Sequence, residues 1–132
     1  MDAEAIKRSL ELVAEHSDPT ALVYARLFSQ YPQMEALFVR DVNGAVRGNM
    51  LAEVITALLD FVDANNYGAN LMRAEIVNHE HLGVPPHHFV AFFATLRDVF
   101  ADVLAAEWTP DIEAAWAELL VQIDDLLLKA SA

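Results

Sequence analysis

Apolar residues recur at three- and four-residue intervals along nearly the whole chain, the spacing of helices that bury one face. Over residues 3–15, Ile6, Leu10 and Val13 share a side while acids and bases occupy the other. Ser17-Asp18-Pro19 then interrupts the pattern: proline suits the first turn of a helix, and Asp18 or Ser17 can cap that helix with a side-chain oxygen. A second helix is expected over 19–31, with Tyr24, Leu27, Phe28 and Tyr31 on one face. Pro32 has no N–H for a helix interior, so a new short segment should run from Pro32 to Phe38. A loop follows over 39–45, with Asn43-Gly44 supplying its turn. From 46 to 64 a long helix should turn Arg47, Leu51, Val54, Ile55, Leu58 and Val62 inward, until Asn65-Asn66-Tyr67-Gly68 breaks it.

Residues 69–80 form a less hydrophobic helical segment whose apolar side is Leu71, Met72, Ile76 and Val77. Leu82-Gly83-Val84-Pro85-Pro86 reads as a turn, after which Phe89, Phe93, Leu96, Phe100 and Leu104 repeat at helical spacing over 87–106. Thr109-Pro110-Asp111-Ile112-Glu113 combines a capping threonine, a proline at the first helical position and early acids, which announces a last helix. Its apolar side is Ile112, Trp116, Leu119, Leu120, Ile123 and Leu127. No segment alternates with period two, and no internal repeat or low-complexity tract is present. The expected fold class is all-α.

Composition narrows the function classes. At 132 residues the chain has the length of one domain with one core. Apolar residues make up 55% of it, yet charges break them before any run reaches the ~18 residues of a membrane span. Acids stand near the start, where a secretory leader would carry its basic region, so a soluble, cytoplasmic protein is expected. The absence of cysteine excludes disulfides, thiolate metal sites and a cysteine nucleophile. A net charge of −12, with the eight basic residues unclustered, disfavours nucleic acid and anionic membrane as partners.

The remaining chemistry gathers in one stretch. Between Asn78 and Phe89 lie four of the five histidines: His79, His81, His87 and His88. Imidazole is the side chain that most readily ligates a transition metal or haem iron near neutral pH. A four-histidine zinc cluster would need the turn folded back on itself, and His87 and His88 read as solvated first-turn residues of the following helix. His16 has no evident role.

Two motifs resemble one family. The segment Tyr24-Ala-Arg-Leu-Phe28-Ser-Gln-Tyr-Pro32-Gln-Met-Glu-Ala-Leu-Phe38 resembles the distal motif of globins, in particular single-domain bacterial haemoglobins and the globin domain of flavohaemoglobins. Their tyrosine stands four residues before a core phenylalanine, a proline starts the third helix, and a phenylalanine six residues later stacks on the haem. His79 is followed by Val84, Pro86 and Phe89 at the offsets that follow the proximal histidine in that group. His81 is a rival ligand whose offsets to Val84 and Phe89 are wrong by two residues.

The resemblance covers about residues 5–128, and it implies a single globin domain over 1–132 without a separate fourth (D) helix. It implies haem b as cofactor, His79 as metal ligand, and Tyr24 as a hydrogen-bond donor on the distal side. Phe38, Leu51, Val84 and Phe89 would pack at the haem. The usual distal glutamine or histidine is missing, and Arg47, Asn49 or Met50 stands nearest that position. Arg40, Arg47 and Arg73 are candidates to pair with the haem carboxylates. Glu75, one turn before His79, occupies a position that is usually apolar in globins, and its carboxylate is a candidate partner for the other ring nitrogen. Flavohaemoglobins carry a tyrosine where Phe89 stands, and a reductase domain that these residues do not encode.

The function so implied is reversible binding of dioxygen or another diatomic gas, for transport, scavenging or sensing. Nitric-oxide dioxygenation would need an external reductase, and a second copy of the chain is a candidate partner. The alternatives are a globin-fold sensor or interaction module that has lost haem, and an acidic helical scaffold without a ligand.

Overall fold

The computed structural model describes residues 2–130, in which six α-helices and two short 3₁₀ segments follow one another without a strand among the described residues. The helices are α1 (Ala3–His16), α2 (Thr20–Gln30), α3 (Ala45–Val62), α4 (Tyr67–His81), α5 (Pro86–Leu104) and α6 (Pro110–Ala130). The 3₁₀ segments are Pro32–Phe38 and Ala105–Glu107, and no separate helix lies between Phe38 and α3. No helix among the described residues is long and apolar enough to cross a membrane.

Local chemistry sets most of these boundaries. Asp2 accepts the Ala5 N–H at 3.1 Å to start α1, and Asp18 takes both the backbone N–H of Thr20 (3.0 Å) and its hydroxyl (2.6 Å) at the start of α2. Pro32 ends α2 as expected, and the seven residues after it wind as a 3₁₀ helix rather than an α-helix. Thr109 Oγ1 accepts from the Ile112 N–H at 3.3 Å, so the cap expected before α6 is made. The break expected at 65–68 falls earlier. The left-handed residue is Ala64, at φ 61°, and Gly68 already lies in the first turn of α4.

One core collects the inward faces of all six α-helices, with Ile6, Leu58, Phe93, Phe100, Trp116 and Ile123 wholly buried. α6 lies against α1, α4 and α5, and α2 against α5. The Trp116 N–H donates to Ser9 Oγ at 2.9 Å, and that hydroxyl donates to the Ile6 carbonyl at 2.6 Å, so the polar groups deepest between α1 and α6 are satisfied. His16 has a role as well: its Nε2 lies 2.7 Å from Glu107 Oε1 and ties the end of α1 to the 3₁₀ turn before α6.

α4 is pinned at both ends. At its start the Gly68 N–H donates to Asp60 Oδ2 at 2.6 Å, and Gly68 packs directly on the Ala57 backbone of α3. At its end Gly83 takes φ 96°, the Gly83 N–H donates to the Glu80 carbonyl at 3.1 Å, and the Val84 N–H donates to the His79 carbonyl at 2.8 Å. This paired closure needs a left-handed residue, which glycine adopts without a Cβ clash. The last turn of α4 is thereby fixed, and His79 stands in it.

Candidate functional site

A cavity of about 460 Å³ opens between α2, α3, α4, α5 and the 3₁₀ segment after α2. Its size falls in the range of small-molecule sites, and its wall is mainly apolar. Each wall brings distinct chemistry.

α4 contributes His79, Glu75 and Leu71. His79 Nδ1 donates to the Glu75 carbonyl at 2.8 Å, and Glu75 Oε2 lies 3.4 Å from the same nitrogen. With Nδ1 carrying the proton, Nε2 holds the lone pair that a metal would take. The ring is held on its other side by Phe89 of α5, their centroids 5.0 Å apart at 53°. His79 therefore has a fixed tautomer, a fixed plane and a cavity in front of it.

α2 contributes Tyr24, which is 2% exposed and packed among the rings of Phe28, Phe38 and Phe92 at centroid distances of 6.0, 5.5 and 5.7 Å. Its hydroxyl is enclosed and has no hydrogen-bond partner among the described residues. Leaving such a group unpaired costs about 1–3 kcal/mol, so a polar guest within reach would be favoured. Burial pushes the phenol above its ordinary value of 10, against a smaller opposing effect of Arg47, and Tyr24 stays a neutral O–H donor.

The start of α3 is set by Asp41, a buried carboxylate on the cavity wall. It accepts the backbone N–H groups of Val46 and Arg47 at 3.0 Å each and the Arg47 Nε–H at 2.9 Å, while its carbonyl accepts from the Arg47 terminal nitrogen at 2.8 Å. Burial alone would raise the Asp41 carboxyl, but these backbone donors and the guanidinium outweigh it and hold the group below its ordinary 3.8. A depressed folded value means the stabilisation is complete above the ordinary value and is lost as pH falls through the lower folded one. Asp41→Asn is therefore expected to be less stable at pH 7, with a flatter stability curve than wild type below about pH 4. Parallel curves in urea titrations across pH 2–7 would remove Asp41 from this role.

Comparison with known families bears on this arrangement. A globin family model matches residues 21–127, most of the chain. The chain belongs to the globin family. No solved structure matches it. Globins usually hold haem and bind diatomic gases, so a helical fold enclosing a cavity with a histidine on its wall is what the family predicts.

Of the residues singled out in the globin sequence, His79, Tyr24, Phe38, Val84 and Phe89 all line the cavity. Leu51 and Arg47 do not. Leu51 is 2% exposed inside the core, and Arg47 is held against Asp41. The face of α3 that reaches the cavity carries Val46, Met50, Glu53, Val54 and Ala57. Among the three alternatives for the distal position, Met50 is the one on the wall, whereas Asn49 is exposed. Arg40 lines the cavity, while Arg73 is engaged with Asn70 on the surface of α4. His81 and His87 are exposed.

His88 departs from its expectation as a solvated residue. It is buried on the cavity wall, its ring tilted against Tyr31 with centroids 4.1 Å apart, and its Nδ1 is enclosed without a hydrogen-bond partner among the described residues. Burial, with a smaller contribution from His87, lowers its pKa and favours the neutral ring. The helical pattern carried a weak sign of this, since His88 is the turn-mate of Phe92 and Ala91 on a face that is otherwise apolar.

Proposed function

We propose that the cavity holds one b-type haem with His79 as the residue that would ligate its iron, and that the protein reversibly binds dioxygen or another diatomic gas on the Tyr24 side. The observation that carries this reading is the state of His79: its Nδ1–H is engaged by the Glu75 carbonyl at 2.8 Å, which leaves Nε2 as the donor atom of a residue on an apolar cavity wall. The residues present fit the group. Phe38, Val54, Leu71 and Phe89 supply flat and branched apolar surface for a porphyrin, and Arg40 supplies a cation for one of its carboxylates. The enclosed Tyr24 hydroxyl, without a hydrogen-bond partner among the described residues, is a polar group of the kind that a gas-binding pocket uses.

When bound, haem would supply an iron centre able to take a gas molecule. The chain does the rest. His79 orients the group through a ring plane fixed by Glu75 and Phe89. The rings of Phe28, Phe38 and Phe92 exclude water around Tyr24 and hold its phenol in place. Tyr24 would donate a hydrogen bond to a polarised diatomic ligand, and Met50 and Val54 add apolar surface to the cavity wall. Residues 1–132 act as one globin unit in this reading, and any dioxygenation of nitric oxide would draw its electrons from a reductase that these residues do not form.

Two measurements test this. Titration with haemin should saturate at one equivalent per chain with a Soret band that survives desalting. In Tyr24→Phe, which keeps the ring and removes the hydroxyl, dioxygen should dissociate about 10- to 100-fold faster, the factor expected for one buried hydrogen bond. An unchanged dissociation rate would remove Tyr24 as the donor.

A further inference from the structure

Glu75 places two different acceptors at one N–H. Its backbone carbonyl lies 2.8 Å from His79 Nδ1, and its carboxylate Oε2 lies 3.4 Å from the same atom. The other carboxylate oxygen accepts from the Asn78 amide at 3.3 Å, so the group is steadied on a second side. The Glu75 side chain is 36% exposed and that of His79 is 22% exposed, and both residues line the cavity. Any residue at this position would supply the carbonyl, since it is backbone. Only an acid supplies a full negative charge one helical turn before the histidine and beside its ring.

We propose that the Glu75 carboxylate tunes His79, drawing the Nδ1 proton toward itself and raising the electron density at Nε2. His79 is then a stronger donor than an imidazole bonded to a carbonyl alone. The inference rests on His79 being the axial ligand. Glu75 acts through another side chain and is a positioning residue rather than a catalytic one. Carboxylate partners of metal-bound histidines raise ligand basicity in general, and a partly enclosed position lets a charge act at lower effective dielectric than bulk water. A stronger donor, together with a nearby negative charge, stabilises the oxidised over the reduced metal. The carbonyl sets the orientation of the ring, and the carboxylate sets how strongly it binds. This division of labour also accounts for an acid on a wall that is otherwise mostly apolar.

The test uses the full chain reconstituted with haemin. Glu75→Gln keeps the length of the side chain and an acceptor for Asn78 while removing the charge; Glu75→Leu removes both carboxylate oxygens and leaves the backbone carbonyl. After reduction with dithionite, the iron–histidine stretching band in the resonance Raman spectrum should move to lower frequency in both variants. The midpoint potential should become more positive in both, with helicity by circular dichroism unchanged. A band and a potential that match wild type in both variants would overturn the tuning role and leave the Glu75–His79 contact without an electronic effect. If wild type itself shows no iron–histidine band, the axial assignment of His79 fails, and the inference falls with it. A band that is present but does not move leaves that assignment standing and refutes only the role of Glu75.

Discussion

His79→Ala is expected to abolish retention of haemin through desalting while leaving the helical fold intact. His79 contributes no part of the buried core, and its side chain is 22% exposed in the last turn of α4. The turn itself is closed by backbone bonds from Gly83 and Val84, which alanine preserves. What the substitution removes is the lone pair at Nε2. Loss of outer-shell partners alone typically weakens a metal site 10- to 100-fold, so loss of the ligand itself should lower haemin affinity by more than about 100-fold. Free imidazole added at millimolar concentration should recover part of the Soret intensity, because the space vacated by the ring would admit it. Retention equal to wild type would show that another group holds the cofactor.

Gly68→Ala should have the largest effect on stability. A Cβ at this position would collide with the carbonyl oxygen of Ala57 and stand only 3.0 Å from its carbon. Both obstacles are backbone of α3, which cannot rotate aside as a side chain would. Overpacking of this kind costs about 1–3 kcal/mol and sometimes more, and a clash with backbone belongs at the upper end. α4 would have to move off α3, stretching the 2.6 Å bond from Gly68 N–H to Asp60, and His79 would move with the helix. A fall in thermal midpoint and a weaker haemin affinity should therefore appear together in the same variant. Gly48→Ala is the control. It lies inside α3 with nothing within 4 Å of its would-be Cβ, and it should stabilise the protein by about 0.5–1 kcal/mol through helix propensity. Equal melting temperatures for the two variants would refute this view of the α3–α4 crossing.

The helices were legible because their signals are local. Pro32, Thr109-Pro110 and the Gly83 turn act within a few residues, and the three- and four-residue apolar repeats mark each buried face. The rotation of α3 was not legible. A helix whose apolar residues surround much of its circumference does not declare which of Leu51 or Met50 faces a cavity, since the two differ by only about 100°. That phase is fixed by Asp41, which reaches across the loop to cap the Val46 and Arg47 N–H groups and holds the Arg47 side chain to itself. No periodicity encodes such a contact. Gly68 read as a breaker for a similar reason. Its importance is the closeness of Ala57, and only the packing of two helices reveals it. His88 is buried because Tyr31 from the end of α2 covers it, a partner distant in sequence.

The residues of the candidate site that line the cavity were legible in a different way, through fixed offsets rather than through hydrophobicity. The spacing from His79 to Val84 and Phe89 is the spacing of one helix end, one turn and one helix start, so it fixes which residues share a wall. In the structure Val84 closes the turn on the His79 carbonyl and Phe89 packs on the His79 ring. Glu75 looked out of place against the family pattern, and the pattern alone could not separate the contact made by its carbonyl from that made by its carboxylate.

The central claim is that the cavity takes haem through His79. Its most direct test is to incubate wild-type protein and His79→Ala side by side with one equivalent of haemin, desalt both, and record the Soret region. The account predicts a band in wild type and none in the variant. A band of equal intensity in both, or in neither, would contradict it.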